Sequence, residues 1–251
     1  MPETRVSHNF GSIARQYDDH AAAQVQAAGG LLDFTPDLEP DSVLEPGCGT
    51  GIYTRMLAQR HPAASIRAID LSEEMVEVAR EKISHPNVSF AVCDAEREPE
   101  RNYDLISSSA TLQWFVDLHG TLRRYCRALR PGGVLTFSYF GPRTYRELRR
   151  CLAEVTGRQK TLDATRFADR ARLDQLMNAY FRPYRVEERR FRQDFDDLRG
   201  LLRSIKLTGT RGRRSGMSWT PGLMKELERT YRERFGGIHA TYQIFLCRGR
   251  T

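Results

Sequence analysis

The chain has 251 residues, 40% of them hydrophobic and 28% charged, with a formal net charge of +7. That composition suits one soluble globular core with an appended lobe and leaves little room for two large domains. No run approaches the ~20 apolar residues of a membrane span. The opening MPETRVSHNFGSIARQYDDH lacks the apolar centre of a secretory signal, so a cytoplasmic protein is expected.

Residues 7–32 read as helical, with Phe10, Ile13, Ala14 and Tyr17 at helix spacing before an Ala-rich stretch. Five strand candidates follow: Ser42–Pro46, Ser65–Asp70, Val88–Val92, Tyr103–Ser107 and Gly133–Ser138. Helical patterns lie between them at about 51–60, 72–84 and 117–129. The last pattern stops in Leu129-Arg-Pro-Gly-Gly133. Strands alternating with helices imply right-handed βαβ units and an α/β fold with a mostly parallel sheet covered on both faces.

After residue 140 the rhythm changes. Helical segments near 144–156 and 169–180 precede a strand at Tyr184–Phe191, a long helical region at about 195–235 and a final strand at Ala240–Cys247. The expected organisation is a single domain over 1–251. It has a helical cover at 1–35, a ligand-binding core at 36–140, and helical lid insertions at about 141–165 and 195–236. These would overlie the C-terminal edge of the sheet, where open α/β folds bind ligands.

Two global features bear on chemistry. The cysteines (Cys48, Cys93, Cys126, Cys151 and Cys247) are odd in number and scattered without a C-x-x-C pair, which argues against a disulfide framework and a zinc site. No metal is expected. The net charge is unevenly spread. Residues 1–140 carry 13 Lys and Arg against 19 Asp and Glu, a net of −6, whereas residues 141–251 carry 26 against 13, a net of +13. A basic half on an acidic half suits an anionic partner as well as a solvated arginine-rich surface.

The segment Glu45-Pro-Gly47-Cys48-Gly49-Thr-Gly51 follows a strand and precedes a helix, where glycines let the backbone approach a ligand closely. A dinucleotide site needs G-x-G-x-x-G, and here the third glycine comes one position early, with Ile52 in its place. No G-K-[ST] is present for a triphosphate loop. Asp70 ends the second strand, where a carboxylate can accept from both ribose hydroxyls. Asp94, after the third strand, can accept from an adenine amino group, and Leu71 and Met75 can sandwich the purine. Each acid alone is as compatible with a helix cap, but their order along the strand ends points to an adenosine site.

Residues 41–140 resemble a class I S-adenosylmethionine-dependent methyltransferase. The resemblance rests on Glu45–Gly51, Ala68-Ile-Asp70-Leu-Ser, Cys93-Asp94-Ala95 and Leu129–Gly133. It implies a Rossmann-like, seven-stranded sheet whose last strand is antiparallel and inserted beside the penultimate one. It also implies S-adenosyl-L-methionine as cofactor, held by Glu45, Gly47, Cys48, Gly49, Gly51, Asp70, Leu71, Met75, Asp94, Ala95 and Ser108. Leu112-Gln113-Trp114 is similar to small-acid carboxyl methyltransferases and resembles most closely the malonyl-acyl-carrier-protein O-methyltransferases of biotin synthesis. The run Phe10–Gln24, the segment Phe137–Pro142 with Glu147-Leu148, and Leu202–Gly209 resemble the same family, although Ser109 stands where that family often has Asn.

A carboxylate acceptor is already ionised near pH 7, so methyl transfer to it needs alignment and desolvation rather than a general base. The resemblance then implies that Tyr17 and His20 close over the reactants and that Gln113 and Trp114 shape the acceptor pocket. An acidic carrier protein bearing a malonyl thioester would be drawn to the basic half through Arg143, Arg203, Lys206 and Arg211. Three other readings stay open. A free polycarboxylate such as trans-aconitate would share Gln113-Trp114. An RNA substrate would suit the basic half, but no RNA-binding module and no [ND]-P-P-[YF] motif is present. A non-catalytic nucleoside-binding protein would keep the fold without the activity.

Overall fold

A computed structural model describes residue 11 and residues 13–97, 102–157, 162–208 and 219–251. Seven strands form one sheet: β1 (Ser42–Pro46), β2 (Ser65–Asp70), β3 (Val88–Val92), β4 (Tyr103–Ser109), β5 (Leu129–Phe140), β6 (Tyr184–Phe195) and β7 (Ile238–Arg250). Their order is β3-β2-β1-β4-β5-β7-β6. The first five pair in parallel, and β7 runs antiparallel to both β5 and β6. The chain steps outward from β1 to β3 and then returns to lay β4 on the other side of β1. That reversal opens a crevice at the C-terminal ends of β1 and β4.

Eight α-helices flank the sheet among the described residues: α1 (Ala22–Phe34), α2 (Ile52–Arg60), α3 (Glu73–Lys82), α4 (Leu118–Ala128), α5 (Arg146–Thr156), α6 (Arg170–Tyr180), α7 (Leu198–Leu207) and α8 (Pro221–Phe235). Successive strand residues point to opposite faces, so each buried strand feeds two cores. Val43, Leu105, Val134 and Leu246 pack beneath α1, α2, α5, α7 and α8. Their chain neighbours Leu44, Ile106, Leu135 and Cys247 pack on the other face with α4 and α6. Continuous apolar runs in the central strands follow from that double burial. None of the described helices is long and apolar enough to cross a membrane.

Helix boundaries have local causes. Ser72 accepts from the Met75 amide at the start of α3, Asp117 from Gly120 at α4, and Asp197 from Gly200 at α7. Pro221 opens α8 behind the Thr220 cap, and Gly236 ends it with φ 73°. The edge strand β6 alternates arginines with carboxylates two residues away (Arg185 and Arg189 on Glu187, Arg190 on Glu188, Arg192 on Asp194). Such charges discourage pairing of the open edge with another chain.

Three elements differ from the sequence-based expectation. The helix expected over 7–32 is instead two short 3₁₀ turns, Ala14–Gln16 and Asp18–His20, followed by α1. Asp18 causes the break. Its carboxylate accepts from the Thr50 hydroxyl at 2.5 Å and from Lys82 Nζ at 2.7 Å, which draws the segment down onto the glycine loop and α3. Phe10 lies outside the described residues. The strand β5 begins at Leu129 rather than Gly133, with a register shift between the Tyr103 and Leu105 pairings that absorbs the Pro-Gly-Gly segment. The long helical region at 195–235 resolves into the end of β6, then α7 and α8.

Candidate active site

The C-terminal ends of β1 to β4 surround a cleft of about 1130 Å³, open mouth included. Its floor is the loop after β1. The Gly47 and Cys48 amides both donate to the Ile69 carbonyl, at 2.7 and 3.0 Å, which clamps the loop to β2. Gly49 has φ 54°, and a Cβ there would meet nothing within 4 Å, so the loop presents bare backbone to open space. Gly51 caps α2 at φ 88°, and a Cβ there would stand 2.5 Å from Ile83 Cδ1.

Asp70 is fixed at the end of β2. Its carboxylate accepts from the Gly49 amide at 2.9 Å and the Ser72 amide at 2.9 Å. Burial pushes this carboxyl upward, while the Ser72, Gly49 and Leu71 amides pull the other way. Asp94 lies beyond it, accepting from the Glu96 amide at 2.9 Å and pairing with Arg97 at 3.0 Å. Glu96 in turn accepts from the Val116 and Asp117 amides, each at 2.8 Å, tying the loop after β3 to the loop after β4. Leu71, Met75 and Ala95 supply apolar wall between the two acids.

The opposite wall comes from Tyr17 and from Ser109, Ala110, Thr111 and Trp114 after β4. Burial pushes the Tyr17 phenol up, and the nearby Asp70 and Asp18 charges push it further, so it stays protonated. Trp114 packs edge-to-face on Phe167 with ring centroids 5.3 Å apart. Thr111 Oγ1 donates to the Gly47 carbonyl at 3.1 Å, joining the two loops. Cys48 also lines the cleft, and burial raises its thiol well above the usual range, which leaves it un-ionised.

Several residues singled out in the sequence stand elsewhere. Glu45 lies in the strand behind the loop, 1% exposed, with Oε2 lacking a partner among the described residues. Burial, the largest influence, pushes its carboxyl up to about 8; the Thr54 hydroxyl works the other way, and Asp70 adds to the rise. Ser108 donates to the Pro46 carbonyl at 2.7 Å and ties β4 to β1 rather than facing the cleft. Gln113 turns back to donate to the Ala110 carbonyl at 2.5 Å and shapes the wall only through that loop. His20 is set back from the cleft, and its carbonyl meets Ser204 Oγ at 3.5 Å. Arg143, Arg203 and Lys206 are exposed and do not line it. Arg211 lies outside the described residues. Cleft residues that composition and motif did not single out are Gln24, Ala28, Thr50, Tyr53, Glu96 and Thr111.

The cleft suits S-adenosylmethionine. Bare backbone at Gly49 leaves room for a ligand against the loop, and two acids at successive strand ends share the cleft with apolar Leu71, Met75 and Ala95. Among the described residues no Lys, Arg or His lines it. The charged side chains of that described lining, Asp70, Asp94 and Glu96, are all acidic, which disfavours a phosphate-bearing nucleotide and suits a cationic sulfonium.

Comparison with known proteins agrees. A family model described as a methyltransferase domain matches residues 43–133. The fold is shared with the YcgJ protein of Bacillus subtilis (TM-score 0.61, 17% identity, 90% of this chain and 98% of that one). It is also shared with a phosphoethanolamine N-methyltransferase of Haemonchus contortus solved with S-adenosylhomocysteine (TM-score 0.56, 19% identity, 89% of this chain and 52% of that one). At the sequence level, malonyl-[acyl-carrier protein] O-methyltransferase 1 of Ilyobacter polytropus is 35% identical over 94% of this chain and 89% of its own length. A class I methyltransferase sheet, a cleft built for S-adenosylmethionine and near full-length identity at that level lead to one assignment: the chain belongs to the malonyl-[acyl-carrier protein] O-methyltransferase family.

Proposed function

We propose that the chain transfers a methyl group from S-adenosylmethionine to the free carboxylate of a malonyl thioester on an acidic acyl-carrier protein. The product is the methyl ester that primes pimeloyl synthesis for biotin. The observation that carries this reading is the 35% identity with malonyl-[acyl-carrier protein] O-methyltransferase 1 over 94% of this chain, joined to a cleft with no histidine or lysine base among its described lining residues. In that lining Tyr17 stays protonated, Cys48 is held as a thiol, and the carboxylates Asp70, Asp94 and Glu96 are engaged by backbone amides. A carboxylate acceptor is already ionised and needs no deprotonation, which suits this lining.

When bound, S-adenosylmethionine supplies an electrophilic methyl group on a sulfonium. The chain's part is to orient and to dry the site. Asp70 would accept from the ribose hydroxyls and Asp94 from the adenine amino group, with Leu71 and Met75 against the purine. Tyr17 and Trp114, both in the cleft wall, would exclude water from the reacting end, which would strengthen the attraction between acceptor carboxylate and sulfonium. The exposed basic residues outside the cleft (Arg143, Arg203 and Lys206) would attract the carrier protein. A carrier-borne substrate suits a cytoplasmic location.

Incubation of malonyl-carrier protein with S-adenosylmethionine, followed by mass spectrometry, tests the reading. The expected result is a gain of one methyl group, removed by saponification, with free trans-aconitate left unmodified. Methylation of trans-aconitate alone, or no product while S-adenosylhomocysteine still binds, would reject the acceptor.

A further inference from the structure

Gln24 lies in the first turn of α1, 8% exposed, and lines the cleft together with Ala28 one turn further on. Its side-chain amide makes no hydrogen bond among the described residues, and Oε1 is shut off from solvent. Burial of an amide without a partner is destabilising, and folded proteins rarely retain one unless something else meets it. A residue in a cleft wall has an obvious candidate for that something: the ligand.

Its position indicates which part of the ligand. The helices α1 and α2 lie side by side and run the same way. Arg60, at the end of α2, donates to the Leu32 carbonyl near the end of α1, while Gln24 shares the cleft with Ile52 and Tyr53 at the start of α2. Both helix N-termini therefore open into the cleft beside the glycine loop, where unpaired backbone N–H groups favour a carboxylate. The adenine end is marked by Asp94, after the outermost strand β3. The helix α1 packs instead against α2, β4, β5, β6 and β7, on the far side of β1. Gln24 thus addresses the end of the cleft opposite Asp94.

We propose that Gln24 binds the amino-acid end of the cofactor, its side-chain amide turning into the cleft so that Oε1 accepts from the α-ammonium and Nε2 donates to the α-carboxylate. A primary amide presents an acceptor and donors side by side, the complement of a zwitterion whichever way it is turned. A neutral group does this without adding a cation beside the sulfonium. The inference rests on S-adenosylmethionine as cofactor and is independent of the acceptor.

Two nucleosides separate this role from a general one. S-Adenosylhomocysteine carries the amino-acid end, and 5′-methylthioadenosine lacks it. Calorimetry of Gln24→Met should show S-adenosylhomocysteine binding weakened about tenfold, with 5′-methylthioadenosine binding unchanged. The ligand-free melting temperature should stay level or rise, because an unsatisfied amide has been removed. Gln24→Asn, which keeps the amide but draws it back by one methylene, should give the same split. Equal losses on both nucleosides, or no loss on either, would overturn the proposal. A rise confined to the acceptor KM, with S-adenosylhomocysteine affinity intact, would also overturn it and move Gln24 to the acceptor side. Failure of the unaltered chain to bind S-adenosylhomocysteine would instead refute the cofactor itself.

Discussion

Two carboxyl groups, Glu45 and Glu147, are almost equally hidden, at 1% and 2% exposure, and respond to burial in opposite ways. Burial pushes Glu147 up, but Arg146 at 2.7 Å, the Thr241 hydroxyl at 2.7 Å and the Thr241 amide at 3.0 Å outweigh it, and its pKa falls below the usual 4.5. Glu45 has no comparable set of donors and rises from 4.5 to about 8. The consequences for stability have opposite signs. Ionised Glu147 stabilises the fold above its unfolded pKa, and that contribution is lost as pH falls through its lowered folded value. Between 4.5 and about 8 the folded state holds a proton on Glu45 that the unfolded chain has released, so stability declines as pH rises through that window. Glu45→Gln should therefore gain on the unaltered chain as pH rises, by on the order of a few kcal/mol, with the gap levelling above about pH 8. Thermal unfolding of the ligand-free protein across that range measures it. A gap that does not change with pH would show that Glu45 finds a partner when ionised.

Along the glycine loop, two neighbouring glycines serve different ends. Gly51 faces Ile83 and α3, whereas Gly49 faces the open cleft. Both have positive φ, which costs a side-chain-bearing residue about 1–2 kcal/mol. Gly51→Ala adds a clash inside the fold and should lower stability by about 2 kcal/mol. Gly49→Ala meets no protein atom. It should carry only the backbone cost, about 1 kcal/mol, yet lose at least about tenfold in S-adenosylhomocysteine affinity, about 1.4 kcal/mol or more. Equal effects of the two on binding and melting would refute this division. The unit β1–loop–α2 is legible in the sequence because propensity, glycine placement and the β2-end acid all agree. The opening segment is not, because Asp18 leaves helical register for partners 32 and 64 residues away. The stretch after β4 shows a finer limit. Strand alternation sends Ser108 to the Pro46 carbonyl, and the turn at Leu112–Trp114 sends Trp114 to the cleft and Gln113 away from it. A one-residue ambiguity of facing is invisible to spacing alone.

Across the whole molecule, the excess positive charge of the C-terminal half is not evenly exposed. The arginines of β6 sit on Glu187, Glu188 and Asp194, and those of α8 on Glu228, Glu233 and Glu154 of α5. Exposed pairs of this kind add little stability but cancel the local field. On α7, Arg199, Arg203 and Lys206 fall at i, i+4 and i+7 and form one exposed face with no carboxylate partner among the described residues. The opposite face of that helix is buried, and its Ser204 meets the His20 carbonyl of the opening segment that also carries Tyr17 into the cleft. On the proposed function, this unneutralised face would attract an acidic carrier without entering the cofactor cleft. Steering of this kind raises association rates by about 10–10³-fold and fades with salt. The combined change Arg199→Glu, Arg203→Glu and Lys206→Glu should raise KM for malonyl-carrier protein by about tenfold or more at low ionic strength. S-Adenosylhomocysteine affinity should not change, and KM for a malonyl thioester of a small neutral thiol should not move either. For the unaltered chain the carrier KM should climb with added salt, whereas for the triple variant it should stay nearly flat. Equal losses on the carrier-bound and the small thioester would place the three residues in the acceptor site rather than on a docking face.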